Sequence, residues 1–74
     1  MKKIIYVQLL GEGTLVYRPV PAIKIEEDIY RIKGEDIYSP AEEEWEFLPG
    51  TVVKVKQEEL ESEKVLLAIE AIEE

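Results

Sequence analysis

The 74 residues contain no cysteine, no histidine and no asparagine. Without cysteine there is no disulfide framework to support a small core, and no thiolate to serve as nucleophile or metal ligand. Without histidine the commonest general base and metal ligand is missing as well. The hydroxyl nucleophiles left are Ser39, Ser62, Thr14 and Thr51, and none sits in a recognisable catalytic motif. Glycine is scarce too: Gly11-Glu12-Gly13 lacks the third glycine, the lysine and the following helix of a phosphate-binding loop. No apolar run approaches the roughly 20 residues of a membrane helix. The N-terminal run after Lys2-Lys3 is interrupted by Gln8 and stops at Gly11, so it is expected to be a strand in a soluble, cytoplasmic chain rather than a targeting signal.

What is present is apolar and acidic. Apolar residues make up 46% and charged residues 35%, the balance of a chain that folds. At this length a single domain over residues 1–74 is expected, with little room for an enclosed active site. Residues 1–37 carry six basic and six acidic side chains, whereas residues 38–74 carry three lysines and eleven glutamates. The net charge of −8 therefore lies wholly in the second half, which would repel a polyanion and disfavours nucleic acid as a partner.

Alternation of period two dominates. Lys3–Leu10 places Ile5, Val7 and Leu9 on one face; Gly11–Gly13 turns the chain; Thr14–Val20 completes a hairpin. Pro19 and Pro21 each lack a backbone donor, so this stretch is expected at an edge or bend, with Ala22–Glu26 a separate short strand. Ile29–Ile32 resumes the β pattern and makes a second hairpin. Ser39-Pro40-Ala41-Glu42 predicts one helical turn leading into a short strand at Glu44–Phe47. Pro49-Gly50 turns into a half-buried strand, Thr51–Gln57, with Val53 and Val55 opposed to Lys54 and Lys56.

The last segment fits two patterns. Val65, Ala68, Ile69 and Ile72 have helical spacing, while Val65, Leu67, Ile69 and Ala71 fit one strand face. The strand is preferred because it covers an open sheet edge. The expected fold is therefore all-β, a small, strongly bent antiparallel barrel of five or six short strands, similar to SH3-like folds. The alternative is an α+β domain whose C-terminal helix packs on the sheet.

The stretches Gly11–Ala22, with Glu12-Gly13-Thr14 leading into Val16-Tyr17-Arg18-Pro19-Val20, and Glu43–Val53 resemble a pattern of short bacterial proteins of no assigned function. With Ile29–Ile32 the resemblance covers residues 4–57. It implies a compact β domain and brings no activity or ligand with it.

For chemistry the sequence offers carboxylates alone. Glu26-Glu27-Asp28 and Glu42-Glu43-Glu44 lack the spaced pattern and central glycine of a calcium loop and read as solvated turns. No catalytic, cofactor-binding or metal site is expected, and the chain is not expected to be an enzyme. The candidate interaction surface is Tyr17, Arg18, Tyr30, Arg31 and Trp45, residue types enriched at binding hot spots. In either Tyr-Arg pair the two side chains point to opposite faces of a strand, so the aromatics or the arginines could gather on one side. The competing reading, favoured for the aromatics, makes Tyr17, Tyr30, Trp45 and Phe47 core residues with Arg18 and Arg31 paired to glutamates outside.

Three functions follow in order of preference: a noncatalytic module binding a protein partner or a second copy of itself, an acidic mimic occupying a basic nucleic-acid-binding partner, and a small-ligand-binding protein or enzyme. No membrane partner is expected. The lack of asparagine, glutamine only at positions 8 and 57, and polar residues dominated by Glu and Lys match a thermophile-like composition. Calorimetry at neutral pH is expected to give a midpoint above about 80 °C; a value between about 45 and 65 °C would contradict that reading.

Overall fold

A computed structural model describes residues 2–72. The chain forms five strands in sequence order around a closed barrel: β1 (Lys2–Leu9), β2 (Val16–Glu26), β3 (Ile29–Ile32), β4 (Val52–Leu60) and β5 (Glu63–Ala71). The fold is all-β, as the alternation predicts. No helix among the described residues is long and apolar enough to cross a membrane.

Neighbours in the chain pair antiparallel, β1 with β2, β2 with β3, β3 with β4 and β4 with β5. A ring of five such strands cannot close antiparallel, because the fifth runs in the same direction as the first. The closing seam is accordingly parallel, and its registered pair is Tyr6 with Leu67. Beyond Tyr6 the edge of β1 is completed from elsewhere: Leu10 N–H donates to the Glu44 carbonyl at 2.8 Å and Glu46 N–H to the Gln8 carbonyl at 2.9 Å. Trp45 thereby bridges to Leu9.

Two irregularities bend the sheet. Lys24 pairs with Tyr30 and Glu26 with Ile29, leaving Ile25 as an extra residue; Lys54 pairs with Glu70 and Val55 with Ala68, leaving Ile69. Each bulge adds the local twist that closing so few strands requires.

The core follows the alternation on β1, where Ile5, Val7 and Leu9 point inward, and is joined by Val20, Ala22, Ile32, Val53 and Val55. Three expectations are corrected. First, β2 runs unbroken through Pro19 and Pro21, which stand opposite Tyr6 and Ile4. The Gln8 and Leu10 backbone groups face away from β2, so by alternation those of Ile4 and Tyr6 do too, and no donor is needed from either proline. The Pro21 carbonyl points the other way and accepts from Lys33 N–H at 2.9 Å. Because β3 pairs only from Ala22 onward, the stretch before it does form an edge, yet without a break.

Second, the expected strand at Glu44–Phe47 is reduced to the Trp45 bridge, flanked by the two backbone hydrogen bonds to Gln8 and Leu10. The helical turn before it is present: Glu42 and Glu43 N–H both donate to the Ser39 carbonyl, at 3.0 and 2.9 Å. Third, residues 63–71 form a strand, which disposes of the C-terminal helix, but Leu66 and Ala68 face the core rather than Val65, Leu67 and Ile69. Register decides this: Leu60 pairs with Glu63 across a two-residue turn, and Ala68 falls opposite the inward Val55.

That turn has positive φ at both central residues, 49° at Glu61 and 70° at Ser62, the pattern of a type I′ hairpin normally filled by Asn-Gly. Gly34 presents the opposite case. It has φ of 105°, and a Cβ there would lie 3.3 Å from both Ile37 Cγ1 and Trp45 Cη2. Ser62→Gly is expected to raise unfolding free energy by up to about 1 kcal/mol. Gly34→Ala is expected to lower it by about 1–3 kcal/mol through strain and overpacking. Urea titration of both variants reads the two signs; a neutral Gly34→Ala would contradict the packing described.

Candidate interaction surface

The five candidate residues do not share a surface. On β2 the even-numbered positions face inward, so Arg18 turns toward the barrel and Tyr17 outward. On β3 the order is reversed: Tyr30 is 3% exposed in the core and Arg31 is exposed. Neither the tyrosines nor the arginines gather, because β2 and β3 place their Tyr-Arg pairs in opposite phase. Trp45 is 1% exposed and fills one end of the barrel, its ring edge-on to Tyr38 with centroids 4.9 Å apart.

Arg18 and Trp45 do meet, but as a structural cluster. The guanidinium lies 5.9 Å from the centre of the Trp45 ring, within cation–π range. Glu43, delivered by the helical turn at Ser39, joins them: its Oε1 accepts from the Trp45 indole N–H at 3.2 Å and lies 3.4 Å from Arg18 Nε. The Arg18 contact lacks hydrogen-bond geometry, and Nε is shielded from solvent. The cluster thus holds Trp45 in place by one carboxylate and one stacked cation. The indole hydrogen bond holds Glu43 to Trp45 and the charge contacts of Arg18 tie the β3–β4 connection to β2, which suits a lock on that long connection. Glu43→Ala is expected to lower stability by about 1–2 kcal/mol, chiefly from the stranded indole N–H of the buried Trp45. Urea unfolding followed by Trp45 fluorescence checks this, and an unchanged midpoint would remove the lock.

Chemistry is sparse elsewhere. Among the described residues no three carboxylates converge where a cation could sit. Ion pairs such as Lys24 with Glu27 and Lys33 with Glu35, each at 3.8 Å, are exposed and contribute little.

The outer face of the sheet is different. Alternation on β1 turns Ile4 and Tyr6 outward; on β2 the outward positions are Tyr17, Pro19, Pro21 and Ile23. The parallel seam sets Leu67 of β5 beside Tyr6, with Val65 two residues earlier on the same face. The face of β5, β1 and β2 is therefore apolar across three strands. Ile4 at its centre is 55% exposed, and Leu15 at its margin 71%. Exposed apolar side chains taken singly are ordinary; here they are contiguous on one sheet face.

At one side of this face lies an open groove of about 430 Å³ between the tip of the β4–β5 hairpin and the start of β2. Tyr6, Tyr17 and Val65 line it with Leu60, Glu61 and Glu63. Sequence reasoning found Tyr17 and missed the rest. The signal available was that β1 is apolar on both faces, which a half-exposed strand does not need. No protein family matches the chain, and it has no match among curated proteins or solved structures.

Proposed function

We propose that this chain is a noncatalytic protein-interaction module, an SH3-like barrel in size and strand number, that binds a protein partner through the outer face of β5, β1 and β2. The observation carrying this reading is the apolar face itself, centred on Ile4 and continuous from Leu67 through Tyr6 to Pro21 and Ile23. Covering it would remove apolar surface from water, the dominant favourable term in association. Edge pairing is less suited. The open edge of β2 has no donor at Pro19 or Pro21, so it is a poor template for an added strand.

The acidic-mimic reading has weaker support. Of the glutamates at 42–46, Glu43 is engaged with Arg18 and Trp45, and the pattern is not that of a regularly spaced phosphate backbone.

The test places a photocrosslinking residue at position 4 or 23, with position 27 on the β2–β3 turn as control, and adds sedimentation across a concentration range. Crosslinked product is expected from 4 and 23 and not from 27. Ile4→Lys is expected to weaken binding at least about tenfold while changing stability by no more than about 0.5 kcal/mol, because the side chain faces solvent. A monomer at all concentrations, with no crosslink from the apolar face in source lysate, would sink the reading.

A further inference from the structure

We infer that the groove beside the β4–β5 hairpin receives a cationic segment of the protein partner, with apolar side chains resting on Tyr6, Tyr17 and Val65 and a lysine or arginine reaching Glu61 and Glu63. This deepens the interaction reading above and rests on it.

The groove is complementary in charge and in apolar surface to such a segment. The floor of the groove is aromatic and aliphatic, and the charged groups lining it, Glu61 and Glu63, are both acidic. Neither has a basic partner among the described residues, so each is open to an incoming cation. The two glutamates flank Ser62 at the tip of the hairpin: Glu61 is the first residue of the two-residue turn and Glu63 opens β5. Tyrosine faces attract ammonium and guanidinium groups through the ring quadrupole, adding to the carboxylates' pull on the same charge. A second copy of this chain is the poorer occupant. It carries −8 overall and would bring excess negative charge toward an acidic groove. A free polyamine has the charge but nothing to cover the apolar floor.

The experiment selects a phage-displayed library of random peptides on the intact protein. Peptides from the selection are then titrated into isotope-labelled wild type, the double variant Glu61→Gln/Glu63→Gln, and the control Glu26→Gln/Glu27→Gln on the opposite turn. Enriched peptides are expected to combine apolar residues with Lys or Arg and to shift the amide resonances of Tyr6, Tyr17 and Val65. The groove variant is expected to weaken them about fivefold or more at low salt, with the control unchanged. Spermidine at the same concentration is expected to leave those resonances unmoved. Neutral or acidic peptides that bind the outer face equally in both variants would overturn the cationic partner and leave the interaction reading standing. Equal weakening in the control variant would overturn it too, as an effect of net charge alone. Peptides that bind away from β5, β1 and β2, or no enrichment at all, would count against both.

Discussion

The structure depends on closing an odd number of strands. Five strands joined in sequence leave the first and last parallel, and the parallel seam is short, registered at Tyr6 and Leu67. What the seam does not cover, the long β3–β4 connection does. Its residues 44–46 pair with Gln8–Leu10 and bring Trp45 into the open end of the barrel. Trp45 is the largest fully buried side chain among the described residues, and Tyr38 packs edge-on against it. The connection thus belongs to the core in energetic terms, although it is irregular in its backbone.

Much of the local chemistry serves that one placement. Gly34 supplies a surface without a Cβ against which Ile37 and the Trp45 ring can lie. The turn at Ser39 presents Glu43 to the indole N–H, and Arg18, turned inward by the phase of β2, covers the ring. An arginine on an inward position of a barrel strand would ordinarily be a fault. Here the position lies at the barrel's end, where the guanidinium has an aromatic face on one side and a carboxylate on the other. The residues that looked most like a binding surface are, in large part, the barrel's plug.

The outward face gains its full width from the same closure. Because β5 returns beside β1, two strands that are each apolar on both faces become neighbours, and their outward side chains add to those of β2. The β1–β2 hairpin already carries Ile4, Tyr6, Tyr17, Pro19, Pro21 and Ile23 outward, and the seam extends that face to Leu67 and Val65 of β5. The β4–β5 hairpin then supplies the acidic wall of the groove.

Strand existence was legible because period-two alternation and turn chemistry are local: Ile5, Val7 and Leu9, Val53 and Val55, the turn at Gly11–Gly13 and the helical turn at Ser39 each depend on a few neighbouring residues. The missing cysteine and histidine, and the concentration of charge in the second half, are likewise properties of the chain alone. Orientation was not legible where a strand is apolar on both alternations. On β5 the pattern is satisfied by Val65, Leu67 and Ile69 or by Leu66 and Ala68, and the register set by the two-residue turn chose the second set. Pro19 and Pro21 could be accommodated within β2 because their missing donors face away from β1, a fact of register that no local rule contains. Trp45 reads equally as a hot spot or a core residue until a barrel end exists for it to fill. The sequence determined which segments extend and where they turn. Tertiary structure decided which side of each strand is inside, because that depends on the partner strand across the ladder and on the closing of the ring.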